Sequence, residues 1–389
     1  MSVTFIHTAD WQIGKPFAGI ADDTKRILVQ QERIKCVERI GGAARDHGAE
    51  FVLVAGDLFD STSPTKADVA AMCAAIGQIG LPVLAIPGNH DHGGPGGVWE
   101  QEFFLSQQER LAPNLRVLLS AAPVELDNAV VFPCPLMRRH EPEDTTAWLR
   151  DPALDLARFG VKPRIVLAHG SVKGFATESD DDDVGGAFVN RIDLARLPAD
   201  RFDYIALGDW HGTKLVDERT WYCGTPEIDR FPKGDGNRPG QVLAVTATRD
   251  GVPVAREIPT GRFGWHTHSF TFAGDGSLDV LDQDISNLLG NRAGEDLLVL
   301  ELEGSLGIEA SDRLEKILEG LEARLLRLKL ADHTTIAPTE EEIAALTRRA
   351  SDPLISRVAS RLVAEAAGNG DEADTARLAL RELHAACRA

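Results

Sequence analysis

Five short segments in the first 212 residues of the chain each place an oxygen or nitrogen metal ligand directly after an apolar run. They are Asp10 in FIHTADWQIG, Asp57 in FVLVAGDLFD, Asn89 and His90 in VLAIPGNHD, His169 in RIVLAHGS, and Asp209 and His211 in YIALGDWHG. An apolar strand that ends in a carboxylate, amide or imidazole sets that group outside the carboxyl end of a sheet, where open α/β proteins bind ligands. Five such ends brought to one edge are able to hold two divalent cations.

The segments between them fit that reading. Strands are expected at 3–8, 51–55 and 83–86, with helices at 23–46, where Ile27, Ile34, Val37 and Ile40 are periodic, and at 66–79. Short strands follow at 117–119, 124–126 and 129–133, then at 165–168, 204–207 and 241–248. Asp250-Gly251 signals a hairpin into a strand at 252–258. From about residue 263 a smaller β-α-β-α-β module begins, with strands at 265–272, 297–302 and 324–330 and helices at 278–289 and 310–318, the second stopped by Gly320. Beyond Pro338, Thr339 with Glu342 spells a capping box and Asp352-Pro353 opens a further helix. The expected division is 1–262, 263–337 and 338–389.

The ordered motifs GD-x-x-D (Gly56, Asp57, Asp60), GNHD (Gly88 to Asp91), a lone His after a strand, and G-x-x-H (Gly208 to His211) resemble the binuclear metallophosphoesterases. Within them, HTADWQIG, the YCGTP stretch and the long C-terminal extension look like the SbcD-type DNA repair nucleases. The resemblance implies a four-layer α/β sandwich of two mixed sheets flanked by helices, followed by a small α/β cap domain and C-terminal helices. It also implies two divalent cations, Mn2+ or else Mg2+. The implied partners are DNA, an ATPase of the SbcC type and a second copy of the chain, with no membrane.

Roles carry over by motif position. Asp57 bridges the cations, Asp10, Gln12 and His211 complete the first shell, and Asn89, His169 and Asp209 complete the second. His90 protonates the leaving oxygen, a task that suits imidazole because its pKa lies near operating pH. Asp60 either holds an imidazole or a water, or caps the next helix. The chain departs from the family twice, reading Asp10-Trp11-Gln12 for D-x-H and Gly208-Asp209-Trp210-His211 for G-H-x-H. Each change replaces imidazole by an oxygen donor and favours hard cations over zinc. A neutral amide at the first shell and a carboxylate at the second imply a loosely held first cation and a tightly held second one. Trp11 and Trp210 serve either as packing or as platforms for unpaired bases.

Composition bounds the rest. The net charge of -19 and the lack of any basic cluster leave no basic face for DNA, so the grip comes from local lysines and metals or from another subunit. Lys15, Lys173, Lys214 and the pair Arg138-Arg139 lie near ligand loops and are candidates to steer phosphates, while the acidic run at 178–183 reads as a solvated loop. Five scattered cysteines without a C-x-x-C pair, and no secretory or membrane-spanning segment, fit a cytoplasmic protein. Leu354, Ile355, Val358, Leu362 and Val363 form a helical face that packs on the chain itself or on a coiled-coil partner. Two other functions stay open at this point. One is hydrolysis of a small phosphodiester, cyclic nucleotide or phosphoprotein, and the other is an interaction subunit with a weakened site.

Overall fold

The apolar runs that carry the ligands are continuous rather than alternating, as in FVLVA and RIVLAH, and every residue of both strands is buried. Such runs suit strands covered on both faces. The computed structural model describes residues 1–172, 189–198, 200–231 and 237–388 and divides into two units, 1–263 and 264–389. Lys173 and the acidic run at 178–183 lie outside the described residues.

The first unit runs β1 (Ser2–Thr8), α1 (Asp23–Asp46), β2 (Phe51–Ala55), α2 (Lys66–Ile79), β3 (Val83–Ile86), α3 (Glu102–Leu111) and β4 (Leu115–Val117). It continues with β5 (Val124–Glu125), β6 (Val130–Cys134), β7 (Arg164–His169), β8 (Ser171–Val172), β9 (Arg191–Ile192), β10 (Tyr204–Gly208), β11 (Lys214–Asp217), β12 (Thr220–Tyr222), β13 (Gln241–Thr248) and β14 (Val254–Pro259). One six-stranded sheet has the order β14-β13-β1-β2-β3-β4, and a second has β11-β12-β10-β7-β6-β5. Both are mixed: in the first, β1, β2, β3 and β4 are parallel and β13 joins antiparallel beside β1, and in the second β6, β7, β10 and β12 are parallel with β5 and β11 antiparallel at the edges.

Alternation along each strand explains the layers. Phe5, Leu53 and Leu84 of the first sheet meet Leu167, Tyr204 and Ala206 of the second in the middle of the sandwich. Their neighbours Ile6, Val52 and Val54 face outward onto Val37 and Ile40 of α1 and Met72 and Ile76 of α2. On the far side, Phe132, Val166 and Leu207 are covered by Leu149, Phe159 and Phe202. Two mixed sheets flanked by helices are therefore present, with further helices beyond them. β4 lies two residues earlier than the sequence suggests because Val83 to Ala85 pair with Leu115 to Val117. The α3 helix has no counterpart in the sequence reading.

The second unit contains β15 (Gly264–Phe272), α4 (Ser277–Leu289), β16 (Asp296–Leu306), α5 (Ile308–Arg324) and β17 (Arg327–Ile336), with the three strands parallel. Its helices α6 (Glu340–Thr347), α7 (Pro353–Ala366) and α8 (Asp371–Arg388) close around Ile308, Leu346, Ala359, Ala376 and Leu380. Thr339 and Glu342 form the capping box of α6, and Asp352 caps α7 with Pro353 in its first turn. Within α7, Leu362 and Val363 pack on that cluster, whereas Leu354 and Val358 are exposed.

Gly320 corrects the sequence reading. It does not stop α5, which continues to Arg324. The helix persists because Leu314 and Leu321 are buried in the unit's core, and packing outweighs the propensity of one glycine. Nothing lies within 4 Å of a methyl built on Gly320. Gly320→Ala should therefore stabilise the unit by about 0.5–1 kcal/mol. A calorimetric scan that shows a lower midpoint would contradict this.

Candidate metal centre

The ligand loops come together at the carboxyl ends of β1, β2, β3, β7 and β10. Asp10, Asp57 and His169, all buried, present ligand atoms that lie within 4.8 Å of one another. His169 Nδ1–H donates to the Ala55 carbonyl at 2.8 Å, which turns Nε2 toward the cluster. That Nε2 is 2.9 Å from Asn89 Oδ1, 3.6 Å from Asp57 Oδ2 and 3.7 Å from Asp209 Oδ1. Ser171 Oγ donates to Asp209 Oδ2 at 3.0 Å, and the Asp209 amide donates to the Asp10 carboxylate at 3.2 Å. Asp10, Asp57 and His169 thus cluster, with Asn89 Oδ1 and the Asp209 carboxylate beside the His169 ring, a donor set that fits a hard divalent cation.

The backbone is strained to achieve this. Asp10, Gln12, Asp57 and Asp209 have φ of 54°, 42°, 55° and 99°, a region non-glycine residues seldom enter. Close approach also demands small neighbours. A methyl on Gly56, whose φ is +93°, would lie 2.2 Å from His169 Nδ1, and one on Gly88 would lie 2.1 Å from Asp57 Oδ1.

The electrostatics follow from burying like charges together. Burial raises the pKa of Asp10, with Asp57 and Asp209 adding to the effect against the opposing pull of His169. Burial likewise raises Asp209. Burial disfavours the imidazolium of His169, but Asp57, Asp10 and Asp209 outweigh it and push its pKa up to about 9. A field that holds this proton so firmly also favours a metal ion, and binding one has to release the proton.

His90 stands beside the cluster. Its amide donates to Asp57 Oδ1 at 2.9 Å and its Nδ1–H donates to the Asp60 carbonyl at 3.0 Å. Burial works against its charged form, yet Asp57 and Asp60 raise its pKa above the ordinary histidine value. Asp60 thus holds an imidazole through its carbonyl, while α2 takes its cap from Thr65. Asp91, within the GNHD motif but given no role by the sequence reading, accepts from the amides of Gly88 at 2.7 Å and Phe59 at 3.1 Å, tying the two ligand loops together.

Gln12 and His211 are engaged differently. Gln12 Oε1 accepts from Lys15 Nζ at 2.7 Å, and the same ammonium lies 2.9 Å from Asp229 Oδ2. His211 Nδ1 is 3.0 Å from Asp229 Oδ1, and Arg230 Nη2 is 3.1 and 3.3 Å from the two ring nitrogens. Burial pushes His211 down to about 4, which favours the neutral ring, with Nδ1–H donating to Asp229 and the Arg230 guanidinium lying against both ring nitrogens. Burial opposes ionisation of Asp229, but His211 and Lys15 hold it well below the usual carboxylate range. With these donors already bound to the chain's own groups, this half does not fit a second cation as it fits the first.

Arg33 supports the whole edge. Its buried guanidinium donates to the carbonyls of Trp11 at 2.6 Å, Asp10 at 3.1 Å and Glu227 at 3.1 Å, and to Thr225 Oγ1 at 3.3 Å. The sequence reading missed Asp229, Arg230 and Arg33. The signal for the first two was the charge density of EIDR directly after the YCGTP stretch. Trp11 is core packing, buried with its Nε1 donating to Thr8 Oγ1 at 2.9 Å, and Trp210 packs against the outer core of the second sheet. Lys214 begins β11, while the exposed Arg138 and Arg139 lie on a loop whose Leu136 carbonyl accepts from the Gly93 amide at 2.8 Å, close in sequence to His90. His7 is structural, bonded to Tyr204 Oη and pushed down to about 3 by burial.

Comparison with known proteins agrees with this centre. The sequence profile of the calcineurin-like phosphoesterases matches residues 3–213, and the chain belongs to that family. Its members are metallophosphoesterases with a binuclear divalent metal centre. Among solved structures, TT1561 of Thermus thermophilus is similar at 12% identity, covering 67% of this chain and 100% of that one with a TM-score of 0.40. A structure named "Putative 5'-Nucleotidase from Staphylococcus aureus in complex with alpha-ketoglutarate" is similar at 11% identity over 67% of this chain and 54% of that one, with a TM-score of 0.38. Among the described residues, no helix is long and apolar enough to cross a membrane.

Proposed function

We propose that the chain is a manganese-dependent DNA phosphodiesterase of the SbcD type, working in the cytoplasm as the nuclease partner of an SbcC-like ATPase in DNA repair. The observation that carries the reading is His90, held by Asp60 at the rim of the Asp57, Asn89, His169 and Asp209 cluster, where an acid is needed for a departing alkoxide. When bound, a divalent cation supplies charge neutralisation and a water of lowered pKa. Water oxygen adds to phosphorus as the P–O bond to the leaving sugar oxygen breaks. His90 gives its proton to that oxygen, and the proton lost by the water passes to solvent. The raised pKa of His90 keeps it in the acid form for this step.

Supporting the partner are the net charge of -19, which calls for a DNA grip from elsewhere, and the exposed Leu354 and Val358 on α7, which suit an apolar contact. The purified protein should hydrolyse bis-p-nitrophenyl phosphate and cut single-stranded or duplex DNA when given Mn2+, and a pulldown should return an ATPase. Turnover that is best with Zn2+ and idle with Mn2+ would sink the metal assignment. Activity on small phosphodiesters with none on DNA would move the substrate to that class.

A further inference from the structure

The half of the centre where the family places its first cation is lined here by the chain's own positive groups. We propose that the Lys15 ammonium is the permanent cation of that half, so that this phosphoesterase works with one divalent ion and a fixed ammonium in place of two ions. The inference rests on the metal cluster of the proposed phosphodiesterase and on nothing about DNA.

The two donors that would belong to a first ion alone, Gln12 and His211, are already engaged, and the carboxylates of Asp10 and Asp57 are shared with the neighbouring cluster. Gln12 Oε1 is taken by Lys15, and the His211 ring is held by Asp229 at Nδ1 with the Arg230 guanidinium against both of its nitrogens. Asp229 is the anion that fixes the arrangement. Completely buried, it binds Lys15 on one oxygen and His211 on the other. Lys15 and Arg230 both lie against Asp229, so two fixed cations stand beside Gln12 and His211. A second dication would have to break the Lys15 contacts and then sit beside two like charges. A phosphate oxygen meets the opposite situation.

The ammonium is also placed to act on substrate. An ammonium has three N–H donors, and Gln12 and Asp229 account for two of those on Lys15. Its side chain is 19% exposed, and it lies near enough for its charge to be felt at His90 and Asp60. A fixed charge aimed at a developing phosphorane oxygen costs no reorganisation during the reaction. The replacement of the family's imidazole by Gln12 belongs to the same device, because an amide oxygen receives an ammonium and is a weak metal ligand.

The decisive measurement is the number of metal ions, which needs no substrate. Calorimetry with Mn2+ should give one ion per chain, and the electron paramagnetic resonance spectrum at saturation should show the hyperfine pattern of an isolated ion. Lys15→Met should keep that count and lower kcat on bis-p-nitrophenyl phosphate about 10²–10³-fold, while Lys15→Arg restores most of the loss. The double variant Gln12→His/Lys15→Ser should acquire a second ion with an exchange-coupled spectrum. Two Mn2+ per wild-type chain in a coupled pair, or a Lys15→Met enzyme as fast as wild type, would overturn the inference. A count of two leaves the phosphodiesterase reading intact, and a failure to cut DNA leaves the count of one standing.

Discussion

Asp57→Ala should leave the protein unable to retain its cation, whereas His90→Ala should keep the cation and lose hydrolysis by about 10²–10⁴-fold. The two side chains are neighbours, since the His90 amide donates to Asp57 Oδ1, yet their duties differ. Asp57 lies within 3.6 Å of the His169 nitrogen and shares the cluster with Asp10, so removing it takes away a central anion. His90 contributes its ring through Nδ1–H to Asp60 and leaves Nε2 for a proton. Metal content after desalting, set beside turnover, separates these effects. Equal metal loss in both variants would refute the division of labour. Either truncation spares the sandwich core, so circular dichroism should stay that of the wild type.

Arg33→Ala should cost about 3 kcal/mol or more, because truncation removes four donated hydrogen bonds and leaves the buried Trp11 carbonyl without its donor. For a unit of this size the loss corresponds to a fall in melting temperature of about 6–12 °C. The Asp10 and Glu227 carbonyls suffer less, since Thr225 Oγ1 lies 3.0 and 2.8 Å from them and its one proton serves either. Arg33→Lys should recover only part, because an ammonium cannot reproduce the planar fork. Melting curves of metal-free protein test this directly, and a shift below about 2 °C for Arg33→Ala would contradict the assignment. Activity should fall as well, since the same guanidinium fixes the loop carrying Asp10 to the loop before Asp229.

Much of the ligand constellation is visible in the chain because each motif is contiguous with the strand that delivers it. GDLFD follows FVLVA and GNHD follows VLAI, so periodicity and chemistry are read from the same dozen letters. The helix starts at Thr339 and Asp352 are equally legible, because there the cap and the first turn are adjacent. What the sequence hides is pairing over distance. Lys15 looks like a phosphate-steering residue because it lies three residues beyond Gln12, and its fixed partner Asp229 is 214 positions away. Arg33 appears only as part of a periodic helix, while its acceptor at Glu227 is 194 positions distant. Gly320 misleads in the opposite direction, because a local helix breaker carries no trace of the tertiary burial of Leu314 and Leu321.

The insertion of β13 beside β1 has a consequence for how the protein is born. β1 takes β2 as one neighbour early, but its other neighbour is a strand whose first residue is Gln241. At ribosomal speeds of about 5–20 residues per second, β1 waits roughly 10–50 s for that partner. Throughout the interval its outer edge is an open row of amides and carbonyls, a template for any extended chain nearby. The ligand loops at the carboxyl ends of the strands are all synthesised before Gln241, so the chain carries every carboxylate of the metal centre while the sheet beneath them is still unsealed. An ion captured in that state would neutralise the carboxylates and leave the open edge as it was, so that the step which finishes the sandwich is the arrival of a strand that contributes nothing to the chemistry.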